Sequence, residues 1–565
     1  MRNAKPPIPT KPAIHDSCGA GNCVHDEAPP AAHDQENNRQ STRRRDFLKS
    51  AAAGMMAGAT AGSLSASAAE PKAAASGAST LERLTRGKPD PKRRVLIKGG
   101  VVMSMDPKVG DFANADVLVE GKKILAVGPN LSASGAIVID ASNTIVMPGM
   151  IDTHHHQYET IQRQIIADGI LRGDWPQQSY FSIVQATLTQ GVIPKVFDMG
   201  RSPYEPEDCY ISELVACWSQ ISAGVTTGID TSQCSHTPAH TDAMIKGLVD
   251  SGRRSMFVYS PGRADSNGYE FPGRIGVSTR GLGRLRSQFF NTDDQLVTLG
   301  FGGGPTPIAG PGTETGWQLA RSFGAWIVNH NVMAPQIIVD NEKELGPDIE
   351  MIHCTRWTPQ AWKIFADKGG HVSIAGLIEM QMRHGMPPIQ ASMDHGIMPS
   401  ISIDVETNMT ADLFSNMRAI FTLQRALANE RAIDGEKNPP QPVTCRQVIE
   451  MATVAGAKCA HLDRKVGTLT PGKEADIIML ATDAINVFPM NNAPGAVVTM
   501  MDTSNVKHVM IAGQIKKWNG QLVGVNVEQL RRRATASRDT FFERVKKGFP
   551  AYTPSLFDSC CVPLK

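Results

Sequence analysis

An apolar run that ends in three consecutive histidines is the feature that most constrains the fold. Residues 145–153 read Ile-Val-Met-Pro-Gly-Met-Ile-Asp-Thr, and His154, His155 and His156 follow directly. Side chains alternate across a strand, so His154 and His156 share one face and His155 takes the other. Two imidazoles at the end of a buried strand can hold one divalent metal ion, with Zn or Fe(II) as the natural candidates. A histidine run can also be a solvated turn, but its position after a buried strand favours the metal.

The segments around this strand predict two structural units. Strand-like runs occur near both ends of the chain, at residues 94–98, 116–120, 475–480 and 506–512. Between them, strand-like segments alternate with helix-like segments, as a barrel requires. The predicted strands are residues 255–259, 326–330, 350–353 and 400–404, and the predicted helices are residues 206–221, 240–251, 358–368, 413–428 and 444–457. The Gly/Pro-rich residues 300–316 are predicted to be a loop near the barrel mouth. Strands from the two ends can pair into one small sheet, which leaves the middle as a separate unit.

Composition excludes some functions without choosing one. The 565 residues carry 57 basic and 55 acidic side chains, a net charge of +2 that gives no general attraction to nucleic acid or membranes. Ten cysteines are scattered and form no zinc ribbon.

The first 92 residues are interpreted as a targeting region. Residues 44–49 read Arg-Arg-Asp-Phe-Leu-Lys, which fits the twin-arginine pattern, and a short apolar stretch and a small-residue cleavage site at residues 66–68 follow. The alternative is a basic exposed turn before a helix. The apolar stretch is too short for a convincing membrane span. We expect twin-arginine export machinery to deliver the folded protein to the periplasm or outside the cell. Residues 69–92 are expected to be a flexible lead-in.

Residues 148–156, Pro-Gly-Met-Ile-Asp-Thr-His-His-His, resemble the opening motif of the amidohydrolase superfamily. The resemblance runs from about residue 94 to about residue 534, and it is greatest for the branch that contains cytosine, adenosylhomocysteine and guanine deaminases and the triazine hydrolases. It implies an α/β fold, a distorted (β/α)8 TIM barrel flanked by a composite β-sandwich from both ends of the chain. Together with the targeting pattern, the predicted organisation is a signal and leader (1–68), a lead-in (69–92), sandwich parts (93–147 and 461–525), a barrel (148–460) and a C-terminal helix and tail (526–565).

The resemblance also implies a metal site built from separate strand ends. His154 and His156 match the ligands of the first strand, His330 that of the fifth strand, and Asp404 the aspartate of the eighth. Three neutral histidines and one carboxylate suit one divalent ion. Taken alone, His330 would be interpreted as a core histidine. His353 matches the sixth-strand histidine, which binds a second ion in two-metal relatives. That arrangement also needs a lysine on the fourth strand, and none is evident, so one metal is expected.

The expected chemistry is hydrolysis. A divalent cation lowers the pKa of a bound water from about 15.7 towards 7. Asp404 would take the proton, and the resulting hydroxide would attack an electron-poor carbon. His353 would stabilise the oxyanion or pass a proton to the leaving group, a contribution of roughly 10²–10⁴-fold.

One position departs from the deaminase pattern. Those relatives place a glutamate three residues after the fifth-strand histidine, where it protonates the substrate ring, and this chain has Met333 there. Glu379 and His384 follow the predicted seventh strand and are candidates to replace it, although either could be an ordinary loop residue.

Five loop residues near the predicted strand ends are candidates to contact the substrate, with ordinary packing as the alternative for each: Gln157, Tyr158, Trp175, His236 and His240.

The resulting prediction is a metal-dependent, deaminase-like hydrolase that cleaves a carbon–nitrogen bond of a small heterocyclic molecule. Hydrolysis of an amide, carbamate or urea, or displacement of a ring halide, is the alternative, because Met333 cannot move protons. A non-catalytic binding protein on a decayed barrel is a further alternative, but all the expected ligand positions are filled. The substrate, the native metal and the oligomeric state, including a possible homo-oligomer, stay open.

Overall fold

The structure of the chain is a computed structural model. It describes residues 79–87, 90–171, 179–188, 202–260, 279–305, 314–548, 554 and 556–557. The predicted signal, half of the lead-in (residues 69–78 and 88–89) and Trp175 lie outside these residues. Within them, no helix has the length and apolar character needed to cross a membrane.

Seventeen strands are described. In chain order they are β1 (Arg94–Met103), β2 (Asp111–Glu120), β3 (Lys123–Gly128), β4 (Ile137–Asp140), β5 (Thr144–Pro148), β6 (Met150–His155), β7 (Val225–Ser232), β8 (Arg254–Tyr259), β9 (Val297–Phe301), β10 (Trp326–Asn331), β11 (Ile349–His353), β12 (His371–Ile374), β13 (Ser400–Ile401), β14 (Ile477–Ala481), β15 (Val506–Ile511), β16 (Gln514–Trp518) and β17 (Gln521–Leu522).

The α-helices alternate with the middle strands. In chain order they are α1 (Thr80–Thr85), α2 (Tyr180–Leu188), α3 (Pro206–Ser222), α4 (Pro238–Ser251), α5 (Thr279–Gln288), α6 (Gly316–Ser322), α7 (Gln336–Asp340), α8 (Pro359–Asp367), α9 (Gly376–Gln381), α10 (Ile389–Asp394), α11 (Leu413–Ile433), α12 (Cys445–Glu450), α13 (Gly456–Cys459), α14 (Ala493–Gly495) and α15 (Val527–Gly548).

Strands β6 to β13 form an eight-stranded parallel sheet in sequence order. The sheet closes where the segment after β13 returns to β6. The amide of Asp404 donates to the carbonyl of His154, and the amide of His156 donates to the carbonyl of Asp404, both at 2.8 Å. The result is the predicted α/β barrel, whose strand ends point to one mouth.

Apolar side chains fill the barrel interior away from that mouth. Ile151, Ile229, Val258 and Val328 pack there against Leu462, which follows α13. Just before β6 the backbone of Gly149 packs closely on Thr226, since a Cβ at that position would lie 2.1 Å from the Thr226 hydroxyl. A packed floor leaves the carboxyl ends of the strands as the place for a site.

Both ends of the chain build the second sheet, as predicted. Its nine strands follow the order β17-β16-β15-β14-β5-β1-β2-β3, with β4 also paired to β1. The link between the two halves is the antiparallel pair β14–β5, in which Ile477 faces Pro148. The sheet has a core of its own, which includes Val95, Val117 and Met510.

Most predicted elements are confirmed, and four predictions need correction. Strand β9, the fourth of the barrel, was not predicted, and residues 300 and 301 belong to it rather than to a loop. The predicted strand 400–404 is shorter than expected, since β13 ends at Ile401, and Asp404 beyond it has a left-handed backbone (φ 67°). The predicted helix 444–457 is interrupted by a π-helical turn, Met451–Ala455. Helix α11 continues beyond the predicted end, to Ile433.

Candidate metal centre

Four predicted ligands converge at the carboxyl ends of three barrel strands. The Nε2 atoms of His154 and His330 lie 3.1 Å apart, and those of His156 and His330 lie 3.2 Å apart. Asp404 Oδ1 lies 3.0 Å from His154 Nε2 and 3.4 Å from His156 Nε2. All four side chains therefore direct one donor atom at a common point.

The donor set fits a divalent ion. For a tetrahedral ion with bonds of about 2.0–2.1 Å, neighbouring donor atoms lie roughly 3.3 Å apart. The separations of 3.0–3.4 Å around His154, His156, His330 and Asp404 agree with that value. Histidine nitrogens with one carboxylate suit Zn or Fe(II).

Neighbouring residues orient the ligands of the first strand. His154 places its Nδ1 atom 2.9 Å from the hydroxyl of Thr231 on β7, which fixes the ring with Nε2 towards the site. His155 faces the opposite way, as predicted, with Nδ1 3.0 Å from the side-chain amide of Gln220. Asp152 of the opening motif accepts the amide of Ile403 at 3.0 Å, so it ties the first strand to the last.

Burial sets the charge state of the site. It lowers the pKa of His154 to about 3 and that of His330 well below its usual range, so both rings present lone pairs at neutral pH. Burial alone would favour the neutral form of Asp404, but hydrogen bonds from His154 and His156 hold its pKa well below the usual range. Burial would lower the pKa of His156 as well, but the hydrogen bond to Asp404 raises it, so a metal ion would compete with a proton at this ring. Metal binding requires neutral imidazoles and an ionised carboxylate.

His353 lies beside these ligands and is held from behind by Glu379. Its Nδ1 atom is 3.1 Å from Glu379 Oε1, and its Nε2 atom is 3.6 Å from Asp404 Oδ2. Because the same Glu379 oxygen accepts the amide of Ala375, we assign His353 Nδ1 as the donor. Burial lowers the pKa of His353 to about 4. The ring is therefore neutral, with an unprotonated Nε2.

Two site residues have strained backbones. His353 and Asp404 adopt left-handed conformations with φ of 71° and 67°. Such conformations cost non-glycine residues about 1–3 kcal/mol and persist where the surrounding structure imposes them, often at active sites. Here the strained backbones direct the side chains of His353 and Asp404 towards the metal centre.

A cavity of about 620 Å³ opens above the ligands. Its volume is within the range of small-molecule sites, about 300–1,000 Å³. Its lining combines apolar and aromatic walls with a few polar groups: His156, Leu171, Tyr180, Phe181, Gln233, Gly302, Asn329, His330, Val332, Met333, His353, Met382, Arg383, His384, Asp404 and Val405. An aromatic-walled cavity of this size suits a small planar molecule.

Of the other predicted site residues, some line the cavity and some do not. His384 lines the cavity, as does Met333, but Glu379 is fully buried behind His353 and does not reach it. Glu379 is therefore positioned to orient His353 rather than to protonate a substrate, which corrects its predicted role as a substitute proton carrier.

Three residues that were predicted to contact the substrate pack inside the protein and do not line the cavity. Gln157 is fully buried, and its side-chain oxygen accepts from Arg253 at 3.1 Å. The Tyr158 hydroxyl donates within the core to Glu159 at 2.8 Å. His236 is buried beside His240, with ring centroids 5.5 Å apart, and neither is among the described cavity residues.

Sequence reasoning missed part of the cavity wall. Tyr180 and Phe181 come from α2, which was not predicted, and Arg383 lies next to the predicted His384. The Tyr180 hydroxyl donates to the buried Glu159 at 2.6 Å, which fixes this wall. The sequence offered one signal for α2, the aromatic pair at residues 180 and 181 in a loop that follows the first strand.

Comparisons with known proteins agree with this fold and site. The family model for the amidohydrolase family matches residues 341–516. A 5'-deoxyadenosine deaminase of Methanosarcina barkeri is 24% identical over 466 residues, which cover 80% of this chain and 99% of the relative. A 5-methylthioadenosine/S-adenosylhomocysteine deaminase of Syntrophobacter fumaroxidans is 23% identical over 467 residues, with coverage of 78% and 96%.

Two solved structures share the architecture. A zinc-bound adenosine deaminase from Xanthomonas campestris has a TM-score of 0.64 at 19% identity, with 80% of this chain and 100% of that chain covered. The atrazine chlorohydrolase of Arthrobacter aurescens TC1, complexed with zinc, has a TM-score of 0.65 at 20% identity, with coverage of 79% and 100%. The chain is thus similar to the amidohydrolase family over residues 341–516, and these findings together make it an enzyme that hydrolyses carbon–nitrogen bonds.

Proposed function

We propose that this enzyme removes an exocyclic amino group from a small, electron-poor nitrogen heterocycle, with water as the nucleophile and one zinc or iron ion as cofactor. The observation that carries the proposal is the convergence of three imidazole nitrogens and one carboxylate oxygen, 3.0–3.4 Å apart, on the floor of a cavity with aromatic walls. The similarity to deaminases of adenosine derivatives supports a ring amine as the substrate.

The residues of the chain have separate roles in this reaction. A divalent ion held by His154, His156, His330 and Asp404 would supply Lewis acidity and lower the pKa of water to about 7. Asp404 carries a second oxygen, Oδ2, that faces His353 and can take a proton from the attacking water. His353 Nε2 can accept that proton and return it to the leaving amine. The apolar walls exclude bulk water, which strengthens each of these interactions.

A second candidate reaction is displacement of a ring halide. Met333 lines the cavity at the position where deaminases carry a glutamate, and 46% of its surface is exposed. A thioether cannot protonate a ring nitrogen or a departing amine. Because a halide leaves as a stable anion, its displacement depends less on such a group. The similarity to the atrazine chlorohydrolase structure concerns the fold and does not decide between the two reactions.

A substrate panel tests both reactions. Metal-loaded protein is incubated with aminopurines, aminopyrimidines, amino- and chlorotriazines, amides and carbamates, and ammonia, chloride and product mass are followed. We expect ammonia from at least one ring amine, with a loss of about 10²–10⁴-fold in Asp404→Asn. The matched control is His236→Asn, which changes a buried histidine outside the cavity. Chloride release without ammonia supports the second reaction, and turnover of neither class by metal-replete protein rejects the proposal.

We propose also that the chain is exported by the twin-arginine machinery. The proposal rests on the twin-arginine pattern at residues 44–49 and the small-residue site at residues 66–68. The test is cell fractionation with mass spectrometry of the mature N-terminus. Replacing both Arg44 and Arg45 with lysine should retain the protein in the cytoplasm, and unchanged export of that variant would reject the route.

A further inference from the structure

Two buried cysteines are in contact, and one of them is next in sequence to a residue of the cavity wall. Cys209 lies near the start of α3 and Cys234 lies just after β7, and the Cys209 thiol donates to the Cys234 sulfur at 3.5 Å. Both side chains are fully buried. We propose that these two residues form a reversible disulfide bond, by exchange with a disulfide-containing co-reactant, and that the bond fixes one wall of the cavity.

The backbone holds both cysteines in place. The amide of Cys209 donates to the carbonyl of Glu205 at 3.3 Å, within the capped start of α3. The carbonyl of Cys234 accepts the amide of His236 at 2.8 Å, in a turn that follows β7. A disulfide requires two cysteine side chains that point towards each other. The fold therefore provides the direct approach of the two sulfurs that such a bond needs.

A third cysteine of α3 shows the ordinary alternative. The thiol of Cys217 donates to the side-chain oxygen of Gln157 at 3.4 Å, rather than to another sulfur. All the described cysteines are free thiols. A buried thiol with an oxygen partner behaves as an inert core group, whereas two thiols in contact can form a bond with each other. Cys217 is therefore the matched control for the pair.

The bond forms by two successive exchange steps. The sulfur of one cysteine, as the thiolate, attacks a sulfur of the co-reactant, breaks its S–S bond and forms a mixed disulfide. The sulfur of the second cysteine then attacks the first cysteine's sulfur and releases the other half of the co-reactant. The two cysteines lose two electrons in total and the co-reactant gains them. The two protons that leave the cysteines end on the two thiols of the reduced co-reactant.

Burial controls how fast this exchange occurs. It raises the pKa of the Cys234 thiol well above its usual range, and a thiol attacks a disulfide only as its thiolate. The co-reactant reaches the pair only when this part of the chain opens locally, because both residues are fully buried. We therefore expect slow oxidation of the folded protein. An oxidising compartment, such as the periplasm of the proposed export route, is where the bond would persist.

The bond would act on the cavity through Gln233. This residue directly precedes Cys234, lines the cavity, and is hydrogen-bonded to the Tyr158 hydroxyl at 3.0 Å. A link from Cys234 to Cys209 would tie this wall to α3. It would also restrict the unfolded chain between the two residues, which stabilises the folded state.

Peptide mapping tests the inference without any measurement of turnover. Full-length protein is reduced and then exposed to oxidised glutathione, with and without urea below the denaturing range. Free thiols are alkylated, the protein is digested after glutamate, and the unreduced peptides are mapped by mass spectrometry. Cleavage after Glu213 separates Cys209 from Cys217 and Cys234. The chain has ten cysteines, so mapping locates the bond where a count of thiols would not.

We expect a peptide link from Cys209 to Cys234 that forms faster in urea and disappears on reduction. The control Cys217→Ser should form the same link, and Cys234→Ser should lack it. Oxidation should raise the Tm of the wild-type protein and of Cys217→Ser by on the order of a few degrees. In Cys234→Ser the Tm should be the same under both conditions.

The result that overturns the inference is wild-type protein without this link after prolonged exposure in urea. Glutathione attached to either residue without a link between them has the same meaning, as does a link that persists in Cys234→Ser. If Cys234→Ser does not fold, as judged by circular dichroism, Cys234→Ala takes its place. The map of the wild-type protein decides the question even if neither variant folds.

Discussion

At His353, the two ring nitrogens face different surroundings. Nδ1 is bonded to the fully buried Glu379, and Nε2 faces Asp404 and the cavity. Burial raises the pKa of Glu379 well above its usual range, which favours an uncharged carboxyl group. The oxygen that accepts from both Ala375 and His353 is the feature of Glu379 that matters for the ring.

Substitution at residue 379 should therefore separate orientation from proton transfer. A glutamine can present the same acceptor oxygen, so Glu379→Gln is expected to keep kcat within a few-fold of the wild-type value. Glu379→Ala removes the acceptor and should lower kcat about 10–100-fold with little change in KM, the usual effect of losing a partner that orients a site residue. The measurement is steady-state kinetics on a substrate from the panel. A large loss in Glu379→Gln would instead indicate that the carboxyl group itself carries a proton.

Strand-end residues could be predicted from the sequence, whereas the cavity wall could not. His154 and His330 lie at the ends of recognisable strands, Asp404 follows β13, and parallel strands bring their carboxyl ends together. Gln157 directly follows His156 in the chain, but it begins a 3-10 turn that carries its side chain to the buried guanidinium of Arg253. Nearness to a ligand in sequence does not fix the direction of a side chain.

Helix α11 is the first helix after the predicted ligand Asp404 in the chain. Asp412 caps this helix, because its Oδ1 accepts the amide of Ser415 at 2.8 Å and its Oδ2 accepts the hydroxyl of Thr410 at 3.0 Å. The cap fixes where the chain leaves the barrel mouth.

Removing this cap should cost about 0.5–2 kcal/mol in the free energy of unfolding. The variant is Asp412→Ala, measured by denaturant unfolding against the wild-type protein. Asp434→Ala, at the exposed carboxyl end of the same helix, is the control and should not destabilise the protein, because an acidic side chain is not favoured there. Equal effects at both ends would contradict a specific capping role.

Strand β9 shows why one element was missed. Its sequence, Val-Thr-Leu-Gly-Phe, is short and runs into three glycines, so its composition resembles a loop. In the barrel it is held on both sides, by β8 and β10. Gly300 fits there because a Cβ would lie 2.9 Å from the sulfur of Met256. Tertiary pairing therefore outweighs local propensity.

Strand β15 contains a buried histidine with a pH-dependent contribution to stability. His508 Nδ1 accepts the amide of Asn519 at 3.3 Å, and its ring packs 4.2 Å from that of Trp518. Burial lowers its pKa to about 4, below the 6.5 of an ordinary histidine. The unfolded chain therefore binds a proton that the folded protein excludes, so this contribution is present above pH 6.5 and is lost as the pH falls towards 4.

The variant His508→Asn should show this effect by difference, because asparagine can keep an acceptor and does not titrate. Its free energy of unfolding is compared with that of the wild-type protein at several pH values. The wild-type protein should lose stability relative to the variant between pH 6.5 and about 4. Other buried groups titrate in this range and cancel in the comparison. A difference that does not change with pH would exclude the histidine as the source.

In the whole molecule, one arginine joins the barrel to the second sheet. Arg254 begins β8 and is 1% exposed, and its guanidinium donates to Glu474 at 2.7 Å and to Asp476 at 2.9 Å. Asp476 in turn accepts the amide of Ala512 at 2.8 Å. Removing one partner of a buried pair leaves the others charged and without compensation.

Arg254→Met should therefore lower the free energy of unfolding by about 3–5 kcal/mol. The exposed pair Arg94–Glu120, at 2.7 Å, provides the control, and Arg94→Met should change stability by less than about 1 kcal/mol. Both variants should bind metal normally, since neither residue is in the cavity. Chemical denaturation followed by circular dichroism makes the comparison, and similar costs for the two variants would contradict it.

The backbone contacts between His154, Asp404 and His156 have a further consequence. The same short segments join the first strand to the last and present three of the four donor atoms to the ion. A bound ion would therefore link β6, the first barrel strand, to the segment that follows the last strand, β13. The free energy of metal binding would then add to the stability of the closed barrel. Chelation should accordingly speed hydrogen exchange at the amides of His156 and Asp404 before it affects strands on the far side, such as β9.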